Sequence, residues 1–283
     1  MSGRRCRRSA AGLLLSALAA ALLCACANIA PGGRAQLTAP TAISSVYSSL
    51  DMNLHLAAAT PIAGACAGVQ CRLDKGFELQ ISRLGARLAQ AAYDADPTLK
   101  ERVPAFTFIV AEKSEAGSAS DAQGNVVIYR GVRTAGLNEE SLAFLIAMEM
   151  GHVIARHHDE KSATGLLLSL VAQVVMPWTN LPAGLAALAG SLASAVGTQV
   201  ITADKDVEHT LEAETIAHGI LAQQGWSKSE IAMSLARYSD GLGDNPWAQT
   251  VRESLARLEH DRPIAILVAM NQQGSLSNSG MTP

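Results

Sequence analysis

The chain has 283 residues, 49% of them hydrophobic and 17% charged, with a formal net charge of −3. That is a normal size for one compact domain with flanking segments. The acidic excess argues against nucleic acid as a partner and against anionic lipid held by bulk charge.

Arg4, Arg5, Arg7 and Arg8 make a positive n-region, Ala10 to Leu23 is apolar, and Leu23-Cys-Ala-Cys26 fits a bacterial lipoprotein cleavage box. This predicts a signal over residues 1–25, lipid on Cys26, and a secreted chain tethered to a membrane. An uncleaved anchor is disfavoured by the short run and the small residues before Cys26. Loss of the four arginines takes the formal charge from −3 to −7. Ala27 and Asn28 follow Cys26 without an aspartate, which by resemblance to other lipoproteins points to the outer membrane, facing the periplasm.

Of five cysteines, Cys6 and Cys24 leave with the signal and Cys26 carries lipid. Cys66 and Cys71 remain, in a tight loop that could close as a disulfide in an oxidising periplasm. A metal-binding role for the pair would need two further ligands. Pro31-Gly-Gly and Thr38 to Ser45 read as a tether over residues 26–45, ahead of a main domain at 46–271.

Phe77 to Tyr93 has helical apolar spacing. Phe106 to Val110 and Val126 to Arg130 are β-type runs, with loop chemistry at Gly117 to Asn125. Asn138, Glu139 and Glu140 then open a helix that Arg156, His157 and His158 close, giving roughly five turns across Asn138–His158. Residues 164–201 hold two apolar arms around Met176-Pro-Trp-Thr-Asn-Leu-Pro182. They read as a helical hairpin packed on the domain or resting on a membrane, in preference to a true span. Asp204 to Gln224 is a second helix with its run-in, Gly225-Trp226 a turn, and Lys228 to Tyr238 another helix. Residues 272–283 are a polar tail.

The chemistry centres on Met148-Glu149-Met150-Gly151-His152. A HExxH helix sets two imidazoles at i and i+4 on one face, with a glutamate beside the first as general base. Here Glu149 and His152 are present, and Met148 puts a thioether where the first imidazole belongs. A thioether suits copper(I) and is a poor ligand for a zinc hydrolase.

Gln123 to Gly131, Asn138 to Ala143 and Glu149 to His157 together resemble the HtpX-like zinc metallopeptidases, metallopeptidase family 48, and within them the small YggG/LoiP-like outer-membrane lipoproteins. Leu211 to Gly219 with Gly225-Trp226 resembles the family's second active-site helix. The resemblance runs from about Cys66 to Trp226. It implies an α+β, zincin-like metallopeptidase fold: a small mixed sheet, a central active-site-type helix and a largely helical C-terminal half.

It also implies zinc held by three protein ligands. With Glu212-Ala-Glu214 laid on the family's Glu-Ala-Asp, the third ligand position falls on Thr210, and Glu214 takes the place of the orienting aspartate. Another register would use Glu208 and Glu212 but loses the Ala-acid match. A hydroxyl is not an ordinary protein ligand for zinc. Asn245-Pro246 with Arg252 stands where relatives show a His-Pro and a downstream Arg.

Only His152 then remains of three ligands, with Glu149 as a base lacking an activated water. Two readings follow. One is a lipid-anchored protein that has lost its zinc site and binds envelope polypeptides, an extended client pairing with an exposed edge at Val126, Val127, Ile128 and Tyr129. The other is an active zinc-dependent endopeptidase degrading envelope proteins through a rearranged set drawn from His152, His209, Glu208 or Glu212. No cofactor at all, or zinc if active, are the corresponding expectations.

Overall fold

The computed structural model describes residues 27–30, 33–62, 68–165 and 207–260. The signal at 1–25, Cys26, Cys66, most of the apolar insertion at 164–201 and the tail at 272–283 lie outside the described residues. Cys71 is disulfide-bonded.

The chain forms two compact units. The first, made of residues 1–52, 121–123 and 152–212, opens with strands β1 (Ala27–Ile29) and β2 (Ala35–Leu37). They pair antiparallel, Asn28 opposite Gln36, around a turn in which Gly33 takes φ 83°. Helix α1 (Thr41–Ala58) follows. The described part of 26–45 is therefore folded and not an extended tether. Gln36 is buried and donates through Nε2 to the Ala155 carbonyl at 2.7 Å, and the Ala39 amide donates to the Asp159 carbonyl at 3.1 Å. Polar bonds from distant sequence hold a segment whose own composition is loop-like.

The second unit holds residues 53–120, 124–151 and 213–283. Its helix α2 (Val69–Ala95) extends the expected Phe77–Tyr93 helix in both directions and buries the expected face: Phe77, Ile81, Leu84, Leu88, Ala91 and Ala92. A short helix α3 (Leu99–Arg102) leads to β3 (Thr107–Ala111), β4 (Ser118–Ser120) and β5 (Asn125–Tyr129). The sheet order is β3-β5-β4. β3 runs parallel to β5 with Ile109 opposite Val127, and β4 runs antiparallel to it with Ala119 opposite Val127.

The sheet is thus small and mixed, within the α+β class expected. Helix α2 lies so close to β3 that a Cβ on Gly85 would stand 2.3 Å from the Phe108 ring.

The edge expectation needs correction. Val126, Val127, Ile128 and Tyr129 are the middle of the sheet, paired on both sides and buried. An unbroken apolar run without polar alternation belongs to a strand covered on both faces, and the outer strands are β3 and β4.

After the short helix α4 (Gly131–Thr134) comes helix α5 (Glu139–Ile154). Asn138 caps it through Oδ1, which accepts from the Ser141 amide at 3.2 Å. Leu142 to Ala147 and Met150 are all buried. The helix stops short of the expected His158, because Arg156 takes a left-handed φ of 64°. A new helix α6 then begins at 157 and is described to 165.

Helix α7 occupies residues 207–223. It ends as anticipated at Gly225 (φ 83°), with the Trp226 amide donating back to the Leu221 carbonyl at 3.1 Å. Helix α8 (Lys228–Tyr238) starts on a capping box of Ser227 and Glu230. A 3₁₀ turn at Ser239–Leu242 leads to helix α9 (Pro246–His260).

Candidate functional site

Met148, Glu149 and His152 all lie on α5, Met148 and Glu149 half-buried. The helical period places residues 148 and 152 on one face, as the motif requires.

Within the second unit, Glu149 is held at both carboxylate oxygens. Ser118 donates to Oε1 at 2.6 Å and Ser120 donates to Oε2 at 2.6 Å. Both serines come from β4, where alternation turns residues 118 and 120 to the same side. The Trp247 indole N–H in turn donates to Ser118 Oγ at 2.7 Å. Trp247 is placed by Asn245, whose side-chain oxygen caps α9 at the Ala248 amide (2.8 Å) while its amide donates to the Ala116 carbonyl (2.7 Å). Asn245 is therefore a helix cap and a loop clamp. A general base must aim an oxygen at the water it deprotonates. Here both oxygens already accept short bonds.

Glu214, also in this unit, is buried. Its carboxylate accepts from Ser254 Oγ at 2.6 Å and from Arg257 Nε at 3.1 Å. Arg257 is thereby held more firmly protonated, chiefly by its hydrogen bonds to Glu214. The arginine on Glu214 is Arg257, five residues beyond the Arg252 singled out in the sequence. Arg252 donates instead to the Gly243 carbonyl. Helices α5 and α7 make backbone contact here: a Cβ on Gly151 would stand 2.5 Å from the Ala213 carbonyl oxygen.

The first unit gathers the histidines. His152 Nδ1 lies 2.9 Å from His157 Nδ1, and His157 Nε2 lies 3.2 Å from Glu212 Oε2. The His157 ring stacks on His209 at 4.1 Å, and His209 Nε2 lies 3.1 Å from Glu160 Oε2. Arg34 grips Glu160 with two nitrogens (2.9 and 3.0 Å) and reaches Glu212 at 3.2 Å and Glu208 at 3.3 Å.

Burial first, then the neighbouring His152 and His209, push the His157 pKa down, so this ring is neutral. Burial likewise lowers His158, to about 3. Hydrogen bonding to Glu160, against a smaller opposing effect of burial, raises that of Arg34.

The tautomers follow by elimination. A carboxylate is an acceptor, so neutral His157 carries its proton on Nε2 and accepts at Nδ1. His152 then donates from Nδ1.

The sequence reading assigned no role to Ser118, Ser120, Trp247, Arg34 or Arg257, and read His157 only as a helix-terminal residue. The serines lay in what read as a loop, and the other partners are far away in sequence.

Residues 78–232, more than half of the chain, match Peptidase family M48, and the chain belongs to that family. No curated protein matches it. The mainly helical α+β structure with its small mixed sheet agrees with the family's zincin-like fold. The family is zinc-dependent.

At the positions the family resemblance implies, the residue types are not an ordinary catalytic zinc set. Of the three inferred positions, Met148 offers a thioether and Thr210 a neutral hydroxyl, and only His152 has a donor of the required kind. Among the described residues, no group of three or more His, Cys, Asp or Glu side chains is arranged to hold a metal ion. The histidine and carboxylate cluster is tied together by hydrogen bonds and by Arg34.

Proposed function

We propose that this member of the family is a YggG/LoiP-like lipoprotein, lipidated at Cys26, that has exchanged its zinc site for a fixed polar network. It binds envelope polypeptides in quality control or assembly without hydrolysing them. Its place is the outer membrane, facing the periplasm, and its partners are polypeptides and the membrane, with no nucleic acid.

The observation that carries the reading is the pair Met148 and Thr210 at ligand positions, beside a Glu149 engaged at both oxygens by Ser118 and Ser120. Outer strand β4, which carries those two serines, is the natural partner for an extended client, since main-chain pairing needs no cleavage.

The test is the zinc content of the purified chain beside a Met148→His, Thr210→Glu double variant, with binding of a denatured polypeptide measured on both. The expected result is a natural chain without zinc, a variant that loads it, and binding by both. Zinc near one per chain in the natural protein would overturn the reading. It would favour the rival, a peptidase working through a rearranged set, for which the closeness of His152, His157, His209 and Glu212 is the supporting feature.

A further inference from the structure

Helix α1 is inside out. Ser44 and Ser48 are buried, Ser44 donating to Asp159 and Ser48 accepting from the Ala122 amide at 3.0 Å, while Ser49 donates to the buried Asp121 at 3.0 Å. On the outward side stand Ile43, Val46, Tyr47, Leu50 and Leu54, exposed by 43–71%. At ~100° per residue these five fall within an arc of roughly 100°. Isolated exposed apolar residues are ordinary, but a contiguous stripe of large ones marks a contact surface.

The surroundings indicate what covers it. α1 contains no Lys, Arg or Glu, and Asp51 and His55 are its titratable groups apart from Tyr47. Few charges would have to be desolvated on a hydrocarbon surface.

The undescribed N-terminal residues, with their apolar run at 10–23, end at Ala27, and only the β1–β2 hairpin separates them from α1. Whether that end is lipidated at Cys26 or keeps its apolar leader, the membrane attachment stands close to α1 in sequence. Helix α6 is described as far as Gly165, where an added Cβ would stand 3.0 Å from the Tyr47 hydroxyl. The residues that follow in sequence, Leu166 to Met176, are apolar. One apolar sequence thus joins the described chain beside Tyr47, and another precedes α1 by a single hairpin.

We propose that the Ile43, Val46, Tyr47, Leu50 and Leu54 face of α1 lies on the lipid bilayer as an interfacial helix. It forms a second membrane contact that orients the chain at its anchor. The proposal rests in part on the envelope-anchor reading above. Without basic residues on α1, the contact comes from apolar area, not from attraction to anionic headgroups. Zwitterionic lipid suffices, and salt does not release it.

The test uses the full chain carrying Leu50→Trp in phosphatidylcholine vesicles, with and without bromine on the acyl chains. The expected result is loss of indole emission in brominated vesicles beyond that of the unsubstituted chain, whose three tryptophans set the background. That loss should be unchanged by salt and abolished by adding Val46→Asp. Circular dichroism of the variants establishes that they fold.

Emission at position 50 that is shielded from iodide yet untouched by bromine would overturn the proposal. At single-chain mass it would assign the stripe to residues 166–176 of the same chain, and at double mass to a second copy. Solvent-accessible emission would overturn it as well. Mass spectrometry of the same sample separates the two claims. An acylated chain that floats with vesicles while emission from position 50 stays unquenched keeps the anchor and loses the helix contact. Quenching without acylation does the reverse.

Discussion

Gly151→Ala is the sharpest test of how α5 meets α7. In an open helix, alanine in place of glycine should gain about 1 kcal/mol from backbone propensity. Here the new Cβ would lie 2.5 Å from the Ala213 carbonyl oxygen and 2.9 Å from its Cα. Ordinary contact begins near 3.5 Å, so the helices would have to separate by roughly 1 Å. Both obstacles are main-chain atoms and cannot rotate away.

Overpacking a tight core costs about 1–3 kcal/mol. Because the backbone on both sides resists, the upper end applies, and the net expectation is a loss of about 2 kcal/mol after the propensity gain. For a domain of this size the midpoint should fall by roughly 4–8 °C. Gly219→Ala is the internal control: Gly219 lies in α7 with nothing within 4 Å of an added Cβ. It should gain up to about 1 kcal/mol. Thermal and urea melts followed by far-ultraviolet circular dichroism read both. A Gly151→Ala protein as stable as the natural chain would refute the close approach.

Removing Arg257 leaves the buried Glu214 carboxylate with Ser254 as its remaining partner, so Arg257→Met should cost about 2 kcal/mol in the same melts. Trp247→Phe removes the N–H that fixes Ser118. It should cost about 1 kcal/mol, and a hydrogen-exchange map should show β4 opening more readily than in the natural chain. Ser227→Ala deletes the α8 cap and should cost about 1 kcal/mol. The Ser227 amide and hydroxyl hold the Glu230 carboxyl below its ordinary value of 4.5. A depressed carboxyl contributes stability above 4.5 that is lost as pH falls through its folded value. The gap between natural chain and Ser227→Ala should therefore narrow in acid, and a gap widening below pH 4.5 would contradict the cap.

How much was legible depended on whether the cause was local. The face of α2 from Phe77 to Ala92, the Asn138 cap and the Gly225 stop each rest on neighbours within a turn or two, and each formed. Strand order is set by long-range pairing, which is why Val126 to Tyr129 read as an edge and folded as the centre. The hairpin at Ala27–Leu37 is secured by partners up to 178 residues away.

Arg156 hid a further feature. A residue with a side chain at φ 64° gives no glycine-like signal, so one helix was read where there are two. On an unbroken helix, residues 152 and 157 would point roughly 140° apart. The turn at Arg156 is what lets their rings meet. Glu149's company was equally invisible, because Ser118 belonged to a loop in the sequence and Trp247 lies 129 residues beyond that serine.

Arg34 also bears on how the protein could be shed. A protease that cuts a slack segment leaves the folded part intact. A cut between residues 34 and 40 would carry away the guanidinium shared by Glu160, Glu208 and Glu212. The severed body would be left with a knot of mutually repelling carboxylates. A cut here would therefore destabilise the folded body as well as separate it from the N-terminal residues.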